Sequence, residues 1–209
     1  MGTSSLLDII GSFIFAGVLL LMGLDLNASA NEVKAVYSEN FNLQANLTTV
    51  VEIIEGDFRK IGYCRTWQKL ADPSKSLRIA DSNRIRFLCD YDNNGALDSV
   101  TYWLGPASEL TDTPNPLDCY LYRQINNTTA QKMNFGLTRF SFSYRDAEDS
   151  TLAFPIHDPR LAYYMTLTLS VSTPEPYEQS MKGQYLNDPS KYQVIWKQMR
   201  LITKNLKNR

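Results

Sequence analysis

Histidine, paired cysteine and glycine-rich segments are all scarce in this chain, and each shortage removes a class of chemistry. His157 is the single histidine. It sits in Phe154-Pro155-Ile156-His157-Asp158-Pro159, where the prolines predict a loop between strands. A lone loop imidazole cannot build a multi-histidine metal centre and argues against a histidine-based triad. The three cysteines, Cys64, Cys89 and Cys119, form no Cys-x-x-Cys pair, so neither a zinc ribbon nor a thioredoxin-type redox site is expected. Their odd number leaves at least one thiol free. In an oxidising compartment any of three single disulfides can be written, and in a reducing one the cysteines serve as small core hydrophobes. There is no glycine-rich phosphate loop, no Gly-x-Ser-x-Gly turn and no cofactor fingerprint. No Lys/Arg run is interleaved with aromatics, and 21 basic residues against 22 acidic ones leave a net charge of -1. A nucleic-acid partner is therefore not expected. No two carboxylates are singled out by spacing as an acid/base pair. The chain is expected not to be an enzyme, and no small-molecule substrate is identified.

What the chain does have is an uncharged apolar run from Ile9 to Leu24, close to the start of the sequence. As a helix, Leu6 to Leu26 spans roughly 30 Å, the thickness of a bilayer's hydrocarbon core. No Lys or Arg stands in Met1–Leu7, as a secretory signal would have, although Asn27-Ala28-Ser29-Ala30 offers small residues where cleavage could fall. The reading is a retained anchor, with a cleaved signal or a buried helix as alternatives. Gly11, Ala16, Gly17 and Gly23 allow close helix packing in lipid. Asp8 is read in two ways, as an interfacial charge favouring the helix dipole or as an assembly residue awaiting a cation on a neighbouring helix.

From residue 30 to residue 64 the spacing predicts an amphipathic helix. Val36, Leu43, Leu47, Val50, Ile54, Phe58 and Ile61 recur at helical steps, while Glu39, Glu52, Glu55 and Lys60 can face water. Gly62 is the expected stop, and the weak helix formers Asn40, Asn42 and Asn46 predict a kink or break. Residues 65–209 read as strands at Arg84–Cys89, Ser99–Leu104, Cys119–Tyr122, Leu137–Tyr144, Tyr163–Ser172 and Tyr192–Thr203, with loops at Thr111–Pro116 and Thr173–Pro176. Met165, Leu167, Leu169 and Val171 alternate with polar neighbours, which gives the sheet one apolar face. The predicted fold is α+β: a long N-terminal helix, residues 1–29 in a membrane or filament core, whose amphipathic half packs on a twisted antiparallel sheet.

Asp90-Tyr91-Asp92-Asn93-Asn94-Gly95-Ala96-Leu97-Asp98 places oxygen-bearing side chains at alternate positions before a glycine. That is the first half of a calcium loop, so Asp90, Asp92, Asn94 and Asp98 are candidate calcium ligands. The twelfth position holds Thr101 instead of a bidentate glutamate, and an Asn-Gly pair between β runs also predicts a plain hairpin turn.

A membrane helix at the N-terminus, continuous with an amphipathic helix lying on an antiparallel sheet, resembles the type IV pilins and pseudopilins. Glu55-Gly56-Asp57-Phe58-Arg59-Lys60-Ile61-Gly62-Tyr63 is similar to the Asp-(Ile/Leu)-Arg-x-Ala-Gly-Tyr stretch of minor pilins of the PilW kind and J-type minor pseudopilins. Arg84 to Tyr102 is similar to the strand, acidic turn and strand that follow it. In Ser4-Ser5-Leu6-Leu7-Asp8 the resemblance places Asp8 where the family has a glutamate that pairs with a neighbouring subunit's terminal amine. The sequence departs from the family in that Thr3 precedes Ser4 where prepilins have Gly, and no basic leader is seen. The resemblance implies a structural subunit of a type IV pilus or secretion filament. Its partners would be other pilin-like subunits, its place the membrane and then an extracellular filament, at or near the tip. The other reading is a permanently anchored envelope protein whose extracytoplasmic β domain binds a ligand or a protein.

Overall fold

Helix α1 runs from Thr3 to Phe58, 56 residues, in a computed structural model that describes residues 3–176 and 188–202, with side chains placed for 7–176 and 188–201. Helical hydrogen bonding is unbroken through Asn40, Asn42 and Asn46, where the sequence predicts a kink or break. Each asparagine costs only about 0.5 kcal/mol of propensity, and a helix already propagating on both sides absorbs that. Two units follow one another along the chain, 1–42 and 43–209.

In the first unit the apolar side chains from Leu7 to Leu26 are exposed. This is the one helix among the described residues long and apolar enough to cross a membrane. Val33, Val36, Tyr37 and Phe41 continue the exposed apolar surface, so Val36 does not share the burial of Leu43.

In the second unit, Leu43, Val50, Val51, Ile54 and Phe58 are buried in the core, with Leu47 packed against it. The α-helix stops four residues short of Gly62. The amides of Lys60 and Ile61 donate to the carbonyls of Asp57 and Phe58 (3.0 and 3.1 Å), a tighter three-residue turn that commonly finishes a helix. Gly62 then donates to the Leu88 carbonyl at 3.1 Å, and the Asp90 amide to that of Tyr63 at 2.8 Å. The chain thus leaves the helix hydrogen-bonded to the end of a strand.

Seven strands follow: β1 (Leu77–Ala80), β2 (Arg84–Cys89), β3 (Asp98–Leu104), β4 (Cys119–Ile125), β5 (Gln131–Arg145), β6 (Tyr164–Ser172) and β7 (Val194–Ile202). They form one antiparallel sheet in chain order. β1 escapes prediction because four residues carry too little alternation to register. β5 is longer than predicted because it contains a bulge. Its buried residues change parity, from Leu137 to Phe140, Phe142 and Tyr144, where the register against β6 shifts between Leu137 and Arg139. Gly136, beside the bulge, has φ +67, and a Cβ there would lie 2.7 Å from the Ser172 carbonyl oxygen. Only glycine meets both conditions without strain.

The covered face presents Ile85, Phe87, Val100, Tyr102, Leu121, Phe140, Phe142, Leu167 and Leu169 to the helix, all at least 96 % buried by exposure of 4 % or less. Phe58 occupies the centre, with its ring 5.5, 5.8 and 6.0 Å from those of Phe87, Tyr102 and Phe142. Burial of such a side chain stabilises by roughly 1.5–3 kcal/mol. The three cysteines are free thiols within the buried interior, and burial pushes the Cys89 thiol up to about 12.

Candidate functional site

The hairpin from Asp90 to Asp98 joins β2 to β3 and is organised by its own polar side chains. One carboxylate oxygen from each of Asp90, Asp92 and Asp98 lies within 4.8 Å of the others. Asp90 is 1 % exposed. Its Oδ2 accepts from the amides of Gly95 (2.9 Å) and Arg65 (3.0 Å). Asp98 accepts from the Tyr91 amide at 3.0 Å and from the Asn126 side chain at 2.7 Å. Asp92 accepts from the amide and side chain of Asn94, whose Oδ1 in turn accepts from the Ala96 amide at 2.6 Å. Gly95 turns the chain at φ +81, with its Cα against Thr66, so that a Cβ would come 2.5 Å from the Thr66 hydroxyl. All four residues predicted from spacing therefore share one loop. Asp8 lies elsewhere, exposed on α1, and His157 is exposed in the loop between β5 and β6.

A second polar cluster was not read from the sequence. Asp57 on α1, Tyr102 on β3 and Arg123 on β4 meet beneath the helix, with Tyr102 and Arg123 directly opposite one another in the strand register. The Tyr102 hydroxyl donates to Asp57 Oδ2 at 2.6 Å, and Arg123 Nε reaches the same oxygen at 2.8 Å and the hydroxyl at 2.9 Å. Asp57 and Arg123 are 6 % and 9 % exposed. Burial, and then the Asp57 charge, raise the Tyr102 phenol well above its ordinary range. Burial opposes the Arg123 charge, but the bond to Asp57 together with the contacts to Tyr91 and Tyr102 outweighs it and holds the guanidinium firmly protonated. The signal was available in β4, where Arg123 falls at the same parity as Cys119 and Leu121, so alternation assigns a cation to the apolar face.

Tyr91 couples the two clusters. Lys60 donates to its carbonyl at 3.1 Å and lies 4.4 Å from its ring centroid, while the Arg123 guanidinium lies 4.9 Å from it. Lys60 is thus engaged by the hairpin and does not simply face water. The Tyr63 hydroxyl donates to Asn93 Oδ1 at 3.0 Å. The Glu55–Tyr63 stretch therefore contains the residues that fasten the helix end to the hairpin. An open groove of about 420 Å³ runs beside Asp57, Lys60, Tyr91 and Arg123.

A third buried group lies at the far end of β6. Asn115 donates to the Ser172 hydroxyl (2.6 Å) and the Thr173 carbonyl (2.9 Å), and Ser172 donates to Asp118 Oδ1 at 3.3 Å. Burial pushes the Asp118 carboxyl up to about 6 from an ordinary 3.8, against the opposing bond from Ser172. The folded protein thus binds this proton more tightly than the unfolded chain. Stability is full below pH 3.8, falls as the pH rises towards 6, and stays lower above it. The loss is about 2–3 kcal/mol. Asp118→Asn is expected to raise the melting temperature at pH 7 and to flatten the pH 4–6 portion of the stability profile, measured by thermal denaturation across that range.

No protein-family model matches the chain. A search of curated proteins likewise finds no match.

Proposed function

We propose that this chain is a membrane-anchored, pilin-like structural subunit, without catalytic activity, that assembles with other pilin-like subunits through its N-terminal helix. One observation carries the reading. A single unbroken helix begins as an exposed apolar segment of membrane-crossing length and ends as a buried amphipathic segment on an antiparallel sheet. A segment uncovered by its own chain must be dry in another setting, either lipid or a bundle of like helices. Both suit the same side chains, so transfer from bilayer to filament core exchanges one apolar environment for another. The sheet domain lies on the extracytoplasmic side in this reading. Asp8 meets a cationic group of a neighbouring subunit, where a charge left alone in an apolar setting would cost about 2.5–3.5 kcal/mol.

The test is to shear cells carrying a tagged copy and to image the released material by cryo-electron microscopy with immunogold. Label on filaments is expected, and Asp8→Ala is expected to lower it by more than about tenfold. Label confined to membrane vesicles would favour the permanently anchored envelope protein. Unchanged incorporation of Asp8→Ala would remove Asp8 from assembly.

A further inference from the structure

We propose that the Asp90–Asp98 hairpin binds a calcium ion, with Asp90, Asp92 and Asp98 as its carboxylate ligands. Three observations converge. The carboxylates face one another within 4.8 Å, and among the described residues no Lys or Arg forms a salt bridge with any of them. Two cations that reach the hairpin are used on backbone carbonyls instead, Lys60 on that of Tyr91 and Arg65 on that of Asn93 at 3.4 Å. Three negative charges therefore gather with no protein cation paired to them.

The decisive atom is Asp90 Oδ1. It is buried and has no hydrogen-bond partner, while its twin, Oδ2, is held by two loop amides. A buried carboxylate oxygen without a partner is costly, and native structures leave few of them. With Oδ2 held by two amides, Oδ1 is the oxygen of Asp90 left without a protein partner to take up a ligand. A bound cation satisfies that atom and offsets the mutual repulsion of the three carboxylates.

The donor set selects the metal. Every side chain the loop offers is an oxygen donor, which favours a hard cation over zinc or copper. Calcium accepts the irregular geometry of such a loop, whereas magnesium demands a near-ideal octahedron and parts reluctantly with its waters. Thr101 replaces the bidentate glutamate at the twelfth position, so fewer ligand charges place the dissociation constant at roughly 10⁻⁴–10⁻³ M, the range of extracellular modules. Binding would fix the hairpin that Tyr63 and Lys60 tie to the helix end.

The experiment uses the full chain in detergent, stripped with EGTA, and follows its melting temperature and the tyrosine-sensitised luminescence of terbium, a calcium analogue. Calcium at 10 mM is expected to raise the melting temperature by about 3–6 °C, and the same concentration of magnesium by much less. Asp92 is exposed and its loss relieves repulsion among the three carboxylates, so Asp92→Asn is expected not to lower the calcium-free melting temperature while weakening calcium at least tenfold. Asp90→Asn removes the orphaned charge and is expected to abolish both the calcium shift and the terbium signal. The proposal is overturned by a wild-type melting temperature that calcium does not move, by an equal response to magnesium, or by a calcium response that both variants retain.

Discussion

Replacing Asp57 with alanine is expected to destabilise the folded domain by about 3–5 kcal/mol, the loss typical when one member of a buried ion pair is removed. The remaining partners explain the size. Arg123 would stay beneath the helix with its charge intact, because a guanidinium does not deprotonate in proteins, and the Tyr102 hydroxyl would lose its acceptor. Chemical denaturation of the full chain measures the loss. A control separates charge from shape: Asp57→Leu combined with Arg123→Met removes both ions and is expected to recover most of the stability, since apolar replacement of a whole buried pair is often neutral. If Asp57→Ala proves as mild as a surface substitution, the cluster does not hold the helix to the sheet.

Phe58→Ala is expected to be comparably severe, about 3–5 kcal/mol, for a different reason. Its ring touches three aromatic neighbours from β2, β3 and β5, and truncation leaves a cavity that strands fixed by their hydrogen-bond ladders cannot collapse to fill. Phe58→Leu retains most of the volume and is expected to cost less than about 1.5 kcal/mol. Asp57 and Phe58 both contact Tyr102, so the double alanine variant is expected to deviate from additivity, whereas Phe58→Ala with the distant Asp118→Asn is expected to add.

Much of this architecture was legible before any coordinates. Steps of three and four from Leu43 to Phe58 marked the buried helix face, and these residues, Phe58 included, follow it into the core, with Leu47 packed against its edge. Clean alternation in Met165, Leu167, Leu169 and Val171 marked the buried face of β6. The hairpin could be read because its nine residues are contiguous, and in a turn that short sequence spacing dictates spatial spacing. The helix is not broken at Asn40–Asn46, because local propensity is a weak term beside helix cooperativity. Strand β5 was read only from Leu137, because its bulge breaks the alternation on which recognition depends.

The sequence by itself determined the properties that depend on neighbours along the chain: an apolar segment of membrane-crossing length, a helical face, a series of alternating strands, and an acidic turn with oxygen at every second position. Tertiary structure alone decided which distant polar groups meet. Asp57, Tyr102 and Arg123 stand 45 and 66 residues from one another along the chain, and only the antiparallel register of β3 against β4, under this face of the helix, makes them a cluster. It also decided that Asp90 is buried with one oxygen held and the other unpartnered. Periodicity reports which face a residue occupies, but hydrogen-bond partners are set by register and packing, which are properties of the whole sheet and the helix that covers it.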